Sequence, residues 1–167
     1  RRIFGNDIFR RPDEAFEKVK LALERYLRED PAFRPFTSKY DAWLDGRAEL
    51  SPQERRGLAL FDDPAKGNCA ACHPSTKGAD GAKPLFTDFS YDALGVPRNP
   101  ELQQNADPAF YDLGLCARPA GDLAARTDLC GAFKVPSLRN VARRHTFFHN
   151  GRFRALKEAL TFYVQRD

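Results

Sequence analysis

Five consecutive residues carry the clearest chemistry in this chain, Cys69-Ala70-Ala71-Cys72-His73. They form the pattern C-x-x-C-H, the attachment motif of a c-type haem. At this spacing the two thiols lie along one edge of a porphyrin and add to its two vinyl groups. The imidazole that follows offers a neutral nitrogen to the iron. The motif therefore predicts a haem held covalently by Cys69 and Cys72, with His73 as the proximal iron ligand.

Two other kinds of site also use closely spaced cysteines, a redox dithiol and a zinc site. A redox dithiol is expected between a strand and a long helix, whereas Gly67 and Asn68 precede this motif and Pro74 follows it. A zinc site would need a second close pair of cysteines or histidines, and Cys116 and Cys130 stand too far apart. Haem attachment is therefore the favoured interpretation.

The composition is that of an ordinary folded domain of 167 residues, with 42% hydrophobic and 30% charged residues. Its 14 phenylalanines offer flat apolar surface, which suits a porphyrin and equally suits an aromatic core. The net charge of +4 arises from basic residues mixed with acidic ones, so we expect no nucleic-acid partner. No run of about 18 apolar residues occurs, so we expect no membrane span.

Methionine is absent from the chain. A haem with histidine and methionine as axial ligands is therefore excluded within these residues, which leaves a histidine, a tyrosine, a lysine, water or an open sixth position. The chain also begins at Arg1 without a start methionine, so we expect it to be processed or to be part of a longer protein.

Apolar periodicity and capping residues predict the elements that would position the motif. Helices are expected over 13–30, 38–45, 51–61 and about 155–165, with a short one within 136–144. The first is interpreted as a helix that packs on the core. The third opens with a capping box and delivers the chain to the haem motif.

Residues 74–112 have little periodicity, and we expect this long segment to wrap one side of the haem. Phe86, Phe89 and Tyr91 are its predicted apolar contacts. The pair Cys116 and Cys130 brackets a short loop, and a disulfide is the natural interpretation in an oxidising compartment. Two free buried thiols are the alternative.

Three stretches near the C-terminus resemble a known family: Phe-Lys-Val-Pro-Ser-Leu-Arg-Asn-Val-Ala from Phe133, Phe-Phe-His-Asn-Gly-Arg from Phe147, and Leu-Lys-Glu-Ala-Leu-Thr-Phe-Tyr from Leu156. They are similar to the C-terminal haem domain of the bacterial di-haem cytochrome c peroxidases and their MauG-type relatives. The resemblance extends upstream through residues 58–61 and 38–41 and covers most of the chain.

The resemblance implies an all-α, cytochrome c-like haem domain whose long irregular loops wrap the haem. We expect residues 38–167 to form this domain, with the segment and helix of residues 1–37 packing on it. Members of the family have two C-x-x-C-H motifs, and this chain has one. It therefore resembles the C-terminal half of a longer protein, whose missing N-terminal domain would carry the peroxide-reactive haem. No catalytic residue is assigned within the chain.

The implied reaction is reduction of hydrogen peroxide with electrons from a protein donor or a protein substrate, and this domain would transfer or store electrons. The alternative is a monohaem c-type electron-transfer module without catalysis. Attachment of haem to C-x-x-C-H takes place outside the bacterial cytoplasm, so we expect a periplasmic protein.

The resemblance also implies ligands. The peroxidases place a methionine near the end of the last helix as distal ligand, whereas the MauG-type proteins place a tyrosine there, and Tyr163 matches that position. His149 is expected beside the haem as a supporting residue and as the second candidate for the ligand, and Asn150 replaces the usual acid after it. A calcium ion is implied through the backbone carbonyls of Arg144 and Thr146.

Overall fold

The computed structural model describes residues 3–33, 36–117, 123 and 126–165. Their contacts divide the chain into two compact units, Arg1–Leu50 and Ser51–Asp167. This division comes after residue 50, whereas the sequence predicted a boundary after residue 37. The C-x-x-C-H motif lies in the second unit.

The first unit has two α-helices among its described residues, α1 over Pro12–Glu29 and α2 over Lys39–Leu44. Pro12 occupies the first position of α1, where its missing amide proton is not needed. The hydroxyl of Ser38 accepts from the Asp41 amide, and the Asp41 carboxylate accepts from the Ser38 amide, which completes a capping box. Both helices agree with the predicted bounds to within two residues.

The apolar stripe of α1 is exposed, so the interpretation as a core-packing helix stays a prediction. None of the 18 residues of α1 is buried. A unit of about fifty residues buries a smaller share of its surface than a larger domain does. The side chains of the stripe are Phe16, Val19, Leu23, Tyr26 and Leu27, each more than half exposed.

The second unit contains α3, Pro52–Asp62, and α4, Leu156–Gln165, as its described α-helices. The capping box that opens α3 is formed by Ser51 and Glu54, as predicted. The predicted helix within 136–144 is reduced to a 3₁₀ turn over Val141–Arg143. Among the residues that the structure describes, no helix is both long and apolar enough to cross a membrane.

A small sheet makes the expected all-α class wrong. Strand β1, Tyr91–Asp92, pairs antiparallel with strand β2, Phe133–Lys134. Tyr91 lies opposite Lys134, and Asp92 lies opposite Phe133. Strands of two residues show no alternating pattern, and their pairing partners are distant in the chain, so local periodicity does not indicate them.

The predicted disulfide between Cys116 and Cys130 is present, and it joins residues 14 positions apart. Beside it the Leu115 amide donates to the Ala132 carbonyl at 3.1 Å. Gly114 makes this approach possible, because a Cβ atom there would lie 2.3 Å from the Ala132 carbonyl oxygen. The disulfide thus fixes the chain immediately before β2.

Between His73 and Leu113 the chain is mostly irregular, as predicted, and side chains supply many of its hydrogen bonds. The Arg98 guanidinium donates to the carbonyl oxygens of Asn105, Asp107 and Pro108. Its central carbon also lies 5.6 Å from the centre of the Tyr111 ring. These contacts give the segment a defined course without a long helix or strand.

Candidate haem-binding site

The turn before the motif is shaped by Gly67 and Asn68. The Gly67 amide donates to the Leu60 carbonyl of α3 at 3.1 Å. A Cβ atom at Gly67 would lie 2.3 Å from that same oxygen, so only glycine fits. Asn68 adopts a left-handed conformation with φ of 47°, which asparagine tolerates better than most residues. The chain is thereby turned from the end of α3 directly into the motif.

The motif itself forms a 3₁₀ turn over Cys69–Ala71. The His73 amide donates to the Cys69 carbonyl at 2.9 Å, so the turn continues to the imidazole. His73 Nδ1 lies 2.7 Å from the carbonyl oxygen of Phe86. A carbonyl only accepts, so Nδ1 carries the proton and Nε2 keeps the lone pair that an iron would require.

The two cysteines of the motif are free thiols. Burial raises the pKa of the Cys69 thiol, and the charge of Asp62 raises it further. Burial likewise raises the pKa of the Cys72 thiol, with Asp88 and Asp92 adding to the effect. A redox dithiol needs at least one thiol of lowered pKa. The surroundings of this pair therefore disfavour thiol–disulfide exchange.

A zinc site is also disfavoured by the donors present. In the described parts of the chain, no three side chains of His, Cys, Asp or Glu gather as metal ligands would. The groups near the motif suit a flat apolar ligand with one axial nitrogen instead. The Phe61 ring meets the Phe86 ring edge to face at 6.2 Å. The neighbouring Leu60, Leu85 and Phe89 are 50%, 41% and 56% exposed, so apolar surface is available.

Tyr163 lies on α4 in a cluster of four aromatic rings with Phe148, Phe153 and Phe162. The Tyr163 ring centre is 5.7 Å from that of Phe148 and 5.5 Å from that of Phe162. The Phe148 and Phe162 rings meet at 5.1 Å. Tyr163 is 48% exposed, so about half of the side chain is accessible. The cluster fixes one side of the ring and leaves the other accessible.

His149 stacks on Phe133, with ring centres 3.5 Å apart and an angle of 7° between the planes. Its Nε2 atom lies 4.0 Å from a carboxylate oxygen of Asp112. Burial lowers the pKa of His149 below its ordinary value of 6.5, and the Asp112 carboxylate opposes this in part. The imidazole is therefore a neutral ring packed against β2, and its roles as a supporting residue and as the second candidate for the ligand stay predictions.

Asn150 connects the turn after His149 to the irregular segment. Its side-chain amide donates to the Pro97 carbonyl at 2.9 Å. Its own carbonyl accepts from the side-chain amide of Asn99, also at 2.9 Å. Asn99 is 4% exposed and was not singled out from the sequence, although an Asn-Pro pair marks a turn. An ionised aspartate at position 150 would have no proton to donate to Pro97.

Arg144 and Thr146, whose carbonyls were predicted to bind calcium, lie in an exposed loop after the 3₁₀ turn. The Arg144 amide donates to the Val141 carbonyl at 3.1 Å. The loop ends where Phe147 pairs with Phe153. His145, between the two, is also exposed.

Replacing His149 with glutamine should reduce the pH dependence of stability. Because the folded pKa is depressed, the unfolded chain binds more protons between the folded pKa and 6.5. Stability from the neutral ring is therefore complete above pH 6.5 and is lost as pH falls through this window. Denaturant midpoints at about pH 5 and pH 8 should differ less in the variant than in the wild type. The exposed His145→Gln is the matched control, and an unchanged difference in His149→Gln would contradict the assignment.

No family model matches the chain. It is 36% identical over 165 residues to the methylamine utilization protein MauG of Paracoccus denitrificans, covering 96% of this chain and 40% of that protein. It is 30% identical to the cytochrome-c peroxidase IdrP1 of Denitromonas iodatirespirans, covering 96% of this chain and 43% of that protein. The chain thus spans about two fifths of the length of these relatives.

Among solved structures, the chain is similar to the di-haem peroxidase BthA from Burkholderia thailandensis. The two share 44% sequence identity with a TM-score of 0.83. The match covers 96% of this chain and 39% of the BthA chain. Similarity in sequence and in backbone course therefore extends over nearly all of these 167 residues.

Proposed function

Because the chain belongs to the di-haem peroxidase family of MauG and the cytochrome c peroxidases, we propose that it transfers and stores electrons as the family's C-terminal haem c domain. The fold is then cytochrome c-like, with the small sheet as an addition to the helices. Haem c, when bound, supplies an iron that takes up and releases single electrons.

The observation that carries this proposal is the position of His73. It comes directly after Cys72, the second of the two free cysteines, and its Nδ1 atom is hydrogen-bonded to the Phe86 carbonyl at 2.7 Å. This contact fixes the ring orientation and leaves Nε2 as the electron-pair donor. Cys69 and Cys72 then provide the covalent attachment, and His73 provides the proximal ligand.

We assign the other residues of the site in the same way. Tyr163 is the distal ligand, since its ring is supported on one side and accessible on the other. His149 supports the site through its stack on Phe133. The carbonyls of Arg144 and Thr146 serve a calcium ion that the remainder of the protein completes.

The reaction of the whole protein is proposed to be the reduction of hydrogen peroxide. One peroxide takes up two electrons and two protons and yields two water molecules. The electrons come from a protein donor or from a protein substrate, and they reach the peroxide-reactive haem of the N-terminal domain through this one. The disulfide between Cys116 and Cys130 supports a periplasmic location, because such bonds persist in oxidising compartments.

Haem content and turnover test this function. We expect the parent protein to carry two covalent haems and to turn over hydrogen peroxide. The 167-residue chain should carry one covalent haem and show no turnover, because His73 and Tyr163 would leave its iron no position for peroxide. Mass spectrometry of the denatured proteins and a peroxide assay give the two readings.

The control is the double variant Cys69→Ser/Cys72→Ser, which should lose the covalent haem of this domain only. A parent protein with a single covalent haem would instead identify a monohaem electron-transfer module. Rapid peroxide turnover by the 167-residue chain would contradict the placement of the reactive haem in the other domain.

A further inference from the structure

The loop Pro84–Ser90 holds the motif from one side. Its Phe86 carbonyl accepts from His73 Nδ1 at 2.7 Å, and its Asp88 amide donates to the Cys72 carbonyl at 3.0 Å. Phe86 adopts a left-handed conformation with φ of 54°, and Phe89 does so with φ of 62°. Bulky residues rarely adopt this conformation, and it persists only where the surroundings enforce it. The position of the Phe86 carbonyl therefore depends on contacts from outside the loop.

Those contacts come from residues 135–139, which lie along the other side of the loop. The Thr87 hydroxyl donates to the Val135 carbonyl at 2.7 Å, and the Ser137 hydroxyl donates to the Leu85 carbonyl at 2.6 Å. The Leu138 amide donates to the Phe86 carbonyl at 3.3 Å, so this oxygen accepts from both sides. Residues 135–139 thus form a clamp, named here the loop clamp, that reaches the same atom as His73.

Arg139 makes the most extensive side-chain contact of the loop clamp. Its Nε and Nη2 atoms donate to the Pro84 carbonyl at 2.9 and 2.6 Å. The guanidinium carbon lies 5.5 Å from the centre of the Phe86 ring. Pro84 is buried, so loss of these donors would remove hydrogen bonds from a carbonyl oxygen that water reaches poorly. A planar fork that grips one carbonyl and covers the adjacent ring is specific to arginine, and lysine cannot reproduce it.

We infer that Arg139 is a positioning residue for the proximal histidine. It holds Pro84 and the Phe86 ring, and through them it holds the Phe86 carbonyl where that oxygen accepts the hydrogen bond from His73 Nδ1. A hydrogen bond at Nδ1 raises the basicity of Nε2 and favours the ferric iron. The inference rests on the proposed function, because it concerns the imidazole that ligates the haem.

The sign of a change in reduction potential tests this role in the haem-loaded protein. Weakening the His73–Phe86 hydrogen bond makes the imidazole a poorer donor, so Arg139→Gln should raise the potential. Loss of a positive charge alone would stabilise the ferric state and lower the potential. Arg139→Lys loses the fork but keeps the charge, so no loss of charge opposes the effect, and it should also raise the potential.

A second measurement reports directly on the hydrogen bond between His73 and the Phe86 carbonyl. Solvent exchange of the His73 Nδ1 proton, measured by NMR on the reduced protein, should be roughly tenfold faster in both variants, as expected for one hydrogen bond of ordinary strength. Arg143→Gln, at an exposed arginine four positions along, is the matched control and should change neither reading.

The outcomes separate this inference from the proposed function. A wild-type protein without covalent haem would contradict the proposed function itself. A haem-loaded Arg139→Gln with unchanged potential and proton exchange would overturn the positioning role alone. A lowered potential that Arg139→Lys restores would show that Arg139 acts through its charge and would also overturn the inference.

Discussion

Replacing Tyr163 with phenylalanine is expected to change the axial ligation of the ferric haem and to raise its reduction potential. A phenolate donates electron density to ferric iron, whereas a phenyl ring has no donor atom. Tyrosine ordinarily ionises near pH 10, and binding to ferric iron offsets that cost. Since axial ligands set haem potentials over about 0.8 V, a shift on the order of 0.1 V is expected. Absorption and electron paramagnetic resonance spectra with potentiometry measure it.

The substitution keeps the packing of the aromatic cluster, because phenylalanine preserves the ring that contacts Phe148 and Phe162. Its effect on folding should therefore be small. Tyr111→Phe makes the same chemical change at a tyrosine in the irregular segment and should leave the spectra unchanged. His149→Gln should also keep the ligand set. If Tyr163→Phe retains wild-type spectra, the phenolate is not the ligand and His149 becomes the better candidate.

Removing the disulfide should produce the largest loss of stability among simple variants of this chain. The bond closes a loop of about 15 residues, which is worth about 3 kcal/mol in the chain-entropy treatment. For a chain of this size each kcal/mol lowers the melting temperature by roughly 2–4 °C, so Cys116→Ser/Cys130→Ser should melt roughly 6–12 °C lower. Thermal unfolding followed by circular dichroism measures the change.

Two comparisons make this result specific. Wild-type protein treated with a reductant should match the melting temperature of the double variant, because both lack the same bond. Thiol counting on denatured, haem-loaded wild type should find no free thiol, since the other two cysteines would be thioethers. A double variant that melts with the wild type would show that the disulfide contributes no net stability.

The helices could be predicted because their signals are local. Ser51 and Glu54 lie three positions apart and cap α3 in the structure as in the sequence. The sheet could not be predicted, because Asp92 and Phe133 pair although they lie far apart in the chain. Most of the short helix expected within 136–144 does not form, for a related reason. Val135 and Ser137 make hydrogen bonds to the loop Pro84–Ser90 instead. Distant partners overrode the local preference.

The residues of the site likewise include some that the sequence identifies and others that only the fold reveals. C-x-x-C-H is recognisable because its donors are consecutive in the chain. The partner of His73 is a backbone carbonyl, and any residue type can supply one, so nothing in the sequence marks Phe86 for this role. Arg139 was part of the resemblance, yet its contact with Pro84 spans 55 positions. Such contacts become visible only when the fold brings the segments together.

The link between Asn150 and the irregular segment has a consequence for the conditions under which the domain keeps its shape. The side-chain amides of Asn99 and Asn150 join segments more than fifty positions apart. Both donors are uncharged, and both acceptors are backbone carbonyls. Dissolved ions weaken attraction between exposed charges within a distance of about 10 Å at 0.1 M, but they leave such neutral bonds largely unaffected. These two hydrogen bonds therefore hold the turn that carries His149 in concentrated as in dilute salt, whereas the exposed ion pair of Arg154 with Glu101 between the same segments weakens.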